Sequence, residues 1–122
     1  MSFFDWLCNC FSSEGKAMKM YRKGMAKAKN RDHQGAIDCY TKATEVSDAT
    51  SEVIAMVRYN RALVYIATQD TNLAVKDLDT VLCTPDISIN LKTMAKSKRD
   101  RIDERADKKA DKKADKKGRN TG

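Results

Sequence analysis

The chain is poor in the residues that catalysis and metal binding most often require. It has one histidine, His33, so no pair of imidazoles is available to hold zinc or relay a proton. Its four cysteines, Cys8, Cys10, Cys39 and Cys83, contain no C-x-x-C, and zinc-site spacing is absent. No Gly-rich phosphate loop, H-E-x-x-H or G-x-S-x-G occurs. The carboxylates are scattered or stand beside lysines, as on a solvated helix face. No catalytic residue, cofactor or metal ligand is therefore assigned, and the chain is expected not to be an enzyme. No apolar run approaches the ~20 residues of a membrane span. No basic segment precedes the apolar N-terminus as in a secretory signal, so reduced thiols and a cytoplasmic location are expected.

Breakers are scarce too. One proline, Pro85, and five glycines leave long stretches to helix formers. Charged residues make up 34% of 122, a load that suits an exposed helical protein better than a compact enzyme. The net charge of +7 is uneven: from Lys96 onward there are 12 Lys/Arg and 6 Asp/Glu, leaving the rest nearly neutral. Only the tail needs an electrostatic explanation.

Apolar residues recur at helical spacing in five stretches. Ala17, Met18, Tyr21, Met25 and Ala28 mark the first, from about Lys16. Ala36, Ile37, Tyr40 and Ala43 mark the second, which Asp32 is placed to cap. A third is predicted from about Glu52 to Thr68, with Ser51 as its cap. The fourth spans about Thr71 to Cys83 and ends before Pro85. Ser88 or Asn90 can cap a fifth, in which Leu91, Met94 and Ala95 form the inward stripe and Lys92, Lys96 and Arg99 the wet side. It continues through Ile102 and is expected to fray before Gly118. The predicted organisation is an apolar N-terminal segment and linker at 1–15, helix pairs at 16–50 and 51–86, a capping helix at 87–104 and a Lys-rich tail at 105–122. The fold class is all-α, built of antiparallel helix-turn-helix units.

The two pairs repeat. An offset of 38 lays Gly24 on Ala62, Ala28 on Ile66, Ala36 on Ala74, Tyr40 on Leu78 and Ala43 on Val81. Small residues mark helix crossings, and large ones plug the neighbouring pair. In this pattern the chain resembles the tetratricopeptide repeat family. Gly24, Ala36, Tyr40 and Ala43, then Ala62, Ala74, Leu78 and Val81, stand at its small and large positions. Tyr59-Asn60-Arg61-Ala62-Leu63-Val64-Tyr65 is similar to a family first helix. The pattern is departed from at Met20, Lys27 and Arg58, and four extra residues separate the units.

The resemblance implies a protein-binding scaffold whose concave face is lined by the first helix of each pair. Carried over, that face comprises Met18, Tyr21, Met25, Ala28 and Lys29, then Met56, Tyr59, Asn60, Leu63, Ile66 and Ala67. Rich in Met and Tyr, it suits an amphipathic helix or extended segment. The same residues are equally expected as core of a small bundle. The clamp by which the family grips acidic chaperone tails needs Lys and Asn where this chain has Tyr21 and Met25. Asn60 and Arg61 are left to bond a partner backbone.

Two further segments stay open. On a helix, Phe3, Phe4, Leu7, Cys8 and Phe11 share a face, with Trp6 beside them. They are read as a membrane-surface anchor, as a segment docked in cis on the apolar groove, or as a free end. Ser2 in place of glycine excludes N-myristoylation. The tail repeats Ala-Asp-Lys-Lys at 106–109, 110–113 and 114–117. A solvated helix is the plain expectation, and contact with anionic lipid or nucleic acid the sharper one. The absence of interleaved aromatics argues against stacking on single strands. An adapter for a protein segment is favoured, then a peripheral membrane scaffold, then a nucleic-acid accessory. The oligomeric state is left open.

Overall fold

The structure, a computed structural model, describes residues 15–47 and 49–120. Among them are five helices: α1 (Gly15–Lys29), α2 (His33–Thr44), α3 (Ser51–Ala67), α4 (Thr71–Cys83) and α5 (Ile89–Asn120). No strand occurs among the described residues. Each helix packs on the next in sequence, and α1 also touches α3. This is an array of two helix pairs with a fifth helix closing the second.

The turns inside the pairs match bond for bond at an offset of 38. Asp32 N–H bonds Lys27 O at 2.8 Å, and Asp70 N–H bonds Tyr65 O at 2.8 Å. Arg31 and Gln69, at φ of 63° and 65°, take the left-handed conformation this helix end requires. Neither is glycine, so each turn stores roughly 1 kcal/mol of strain that packing offsets. Asp32 caps α2, accepting from Gly35 N–H. That bond, with Lys27 alongside, holds its carboxyl below the usual carboxylate value.

Small residues sit at the crossings. Ala36, Ala43, Ala62 and Ala74 are fully buried. A Cβ on Gly24 would lie 2.6 Å from a ring carbon of buried Tyr40, so α1 approaches α2 as closely as it does only without a side chain there. Val53, Val57 and Val64 pack α3 onto the first pair. Their counterparts 38 residues on, Leu91, Ala95 and Ile102, pack α5 onto the second. The fifth helix thus stands where the first helix of a third unit would.

Several expectations change. Thr50, not Ser51, caps α3, whereas Ser88 does cap α5 through Leu91 N–H. Met94 is 46% exposed because it lies about 80° around the helix from the Leu91–Ala95–Ile102 line. Arg99, placed on the wet side, reaches back instead to Asp79 on α4 at 2.9 Å and also pairs with Asp103. The tail does not fray before Gly118: α5 runs unbroken to Asn120, so the boundary drawn between 104 and 105 falls inside one helix. From Asp103 to Gly118 every residue is exposed; Arg105 to Lys109 still flank the α3–α4 turn, and α5 projects past it from there.

Candidate functional site

The first helices α1 and α3 meet along the inner face, and their C-terminal halves enclose a hollow of about 240 Å³. Tyr40 and Val64, both buried, form its floor; Ala28, Leu63 and Ala67 are its apolar walls. Two polar side chains, His33 and Asn60, line it as well, and Tyr21 stands behind Asn60. His33 Nδ1 is buried and has no hydrogen-bond partner. Asn60 Nδ2 donates to Tyr21 O–H at 3.2 Å and to Met56 O at 2.9 Å, which leaves its carbonyl oxygen as an acceptor. Tyr21 in turn tilts against Tyr40, with ring centroids 6.0 Å apart. Burial raises the Tyr21 hydroxyl above its ordinary pKa and pushes Tyr40 up to about 12. Both are therefore neutral phenols at physiological pH, able to donate.

The residues expected to line one groove are divided by the structure. Asn60 and Leu63 reach the hollow, and Tyr21 flanks it through Asn60. Met25, at 46% exposure, and exposed Lys29 stand on α1, while Met56 is half-buried. Met18 and Tyr59 are core: with 4% and 9% exposed they offer a partner almost nothing. The small array packs α2 and α5 against these two positions, so bundle burial wins over groove lining there. Ile66 belongs to another hollow, described below. Phe3, Phe4, Trp6, Leu7 and Phe11 lie outside the described residues, and so do the membrane and cis-docking readings that rest on them.

Two residues were not foreseen in these roles. His33, noted in the sequence only as the single histidine, opens α2 and lines the hollow. Arg61, expected to meet a partner backbone, turns away. It binds Asp77 through two hydrogen bonds of 2.7 and 2.6 Å and Thr41 at 3.0 Å, tying α2, α3 and α4 together on the outer side. Asp77 is the buried acid behind that choice. No signal in the sequence marks His33 for this place; only the structure shows that it and its counterpart Thr71 each open a second helix beside a hollow.

That second hollow, of about 550 Å³, is the repeat equivalent of the first. Ala28, Val64 and Ala67 are replaced there by Ile66, Ile102 and Arg105. Among the described residues no His, Cys, Asp and Glu cluster could hold a metal, and no helix is long and apolar enough to cross a membrane.

Comparison with known proteins adds one match. Residues 20–50, which hold most of α1 and all of α2, match the model of the tetratricopeptide repeat. No curated protein and no solved structure matches the chain. The match is confined to the first helix pair, and the all-helical array of five helices is of the kind that tetratricopeptide-type repeats build.

Proposed function

We propose that the chain is a non-catalytic adapter that seats a helical or extended segment of a partner protein on the inner face of α1 and α3. Repeats of this type bind protein or peptide partners and are generally not catalytic. The observation that carries the reading is the hollow at Leu63. Its walls are apolar, it is preformed, and the polar side chains of His33 and Asn60 line it. Such a pocket holds one anchoring side chain by burial and orients it with a few polar groups.

The test places a photo-crosslinking residue at Met25 on the inner face or at Asp38, which is exposed on α2. A specific adduct is expected from Met25 and not from Asp38, and Leu63→Glu should abolish it while circular dichroism shows the helices retained. An adduct that survives Leu63→Glu, or forms equally from Asp38, moves the seat off this face.

A further inference from the structure

The four-residue repeat of the tail acquires a direction once α5 is continuous. At about 100° per residue, measured from Ile102, every acidic residue from Asp103 to Asp115 falls between roughly 100° and 220°. Every basic residue from Arg105 to Lys117 falls in the remaining arc, centred near the Ile102 direction. Ile102 is half-buried against the second core cluster. The face that packs on the body up to Ile102 therefore continues as a lysine face beyond it, with the carboxylates turned outward.

The second hollow lies where the two faces change over. Ile66, Ile102 and Ala106 give it an apolar seam, and Arg105, Lys108 and Lys109 line the same hollow. Farther along, Lys113, Lys116 and Lys117 surround another depression on the projecting helix. We infer that this cleft and the lysine face form a second docking surface, and that its occupant is an acidic amphipathic helix of a partner protein. The occupant's apolar edge would lie on Ile66 and Ile102 and its carboxylates along the lysines.

Charge complementarity selects the acid, and shape selects a peptide. The cleft lies between α5 and the α3–α4 turn and carries an apolar seam, which a helix edge fills and a bilayer surface or a duplex cannot enter. Among the described residues no aromatic stands among the lysines to stack on bases. This surface is separate from the inner positions where the family grips acidic tails, which here are Tyr21 and Met25. It also stands independently of the Leu63 hollow.

The full-length chain is titrated with a fluorescent helical peptide of Glu, Leu and Ala, glutamates on one face and leucines on the adjoining edge. The decisive variant keeps composition and net charge but exchanges the faces: Asp107→Lys and Asp111→Lys with Lys109→Asp and Lys113→Asp. All four residues are exposed, and none belongs to the core that packs the body. Binding to the parent chain, weakened about tenfold or more by the exchange and reduced by salt, supports the inference. Equal binding by parent and variant would show a diffuse polycation and overturn it. No binding of the peptide overturns it as well. So does the same exchange-dependence shown by phosphatidylserine vesicles or a DNA duplex while the peptide stays unbound. Met25→Glu, on α1, which gives no residue to this cleft, should leave this titration unchanged, which separates its failure from failure of the inner-face reading.

Discussion

Removing the Asp77 carboxylate tests how the two pairs are held together. Asp77→Ala strips the Arg61 guanidinium of two hydrogen bonds and its counter-charge. The side chains of the pair are only 16% and 7% exposed, so solvent screening does little for them. Breaking such a pair from one side costs about 3–5 kcal/mol, mostly because the surviving charge is stranded. Two features favour the lower end. Thr41 still accepts a hydrogen bond from Arg61, and the outer hollow beside Tyr65 and Thr80 admits water to its head. The expectation is a loss of about 3 kcal/mol, a large part of the ~5–15 kcal/mol typical of a domain. Urea unfolding followed by far-ultraviolet circular dichroism should show a lower midpoint at unchanged slope. Replacing both partners, Arg61→Met with Asp77→Leu, should restore all but about 1.5 kcal/mol, because the stranded charge is gone. A loss below about 1 kcal/mol for Asp77→Ala would put the pair among ordinary surface pairs and refute the argument.

Gly24→Ala should destabilise by about 1–2 kcal/mol, although alanine is worth about 1 kcal/mol in an open helix, because its methyl meets the buried Tyr40 ring. In a Tyr40→Leu background the same methyl should stabilise, as thermal melts of the four variants would show; a gain in the parent would mean that the ring yields. Stability should also fall as pH rises from the ordinary tyrosine value of 10.0 towards the Tyr40 value of about 12. In that window the unfolded chain releases its proton and the folded one keeps it. Half-buried Tyr21 and buried Tyr59 act in the same direction. Tyr40→Phe should flatten the alkaline slope of the melting temperature, and an unchanged slope would contradict the assignment.

Much of the scaffold could be read in advance, because local signals and packing agree. Asp32 before His33, the bounds Thr71 and Cys83, and the small residues at Gly24, Ala36, Ala62 and Ala74 all follow from capping and from helix crossings. Less of the face was legible, because exposure depends on neighbours that periodicity does not name. Met18 and Tyr59 have the spacing of groove residues, but α2 and α5 cover them. Arg61 carries no sign that Asp77, sixteen residues on, will claim it. The tail was undervalued because a charge run has no face until its helix is known to be continuous. Period four on a 3.6-residue helix then sorts its charges by side.

The length of α5 also affects how the molecule behaves in solution. Its 32 residues span about 48 Å, nearly twice the ~25 Å of the 17-residue α3. Drag follows the longest dimension, so a monomer of 13.7 kDa will elute from a sizing column ahead of compact proteins of equal mass and tumble anisotropically. Elution volume alone would then suggest a dimer. Light scattering, which weighs particles irrespective of outline, is the proper measure of assembly for this chain.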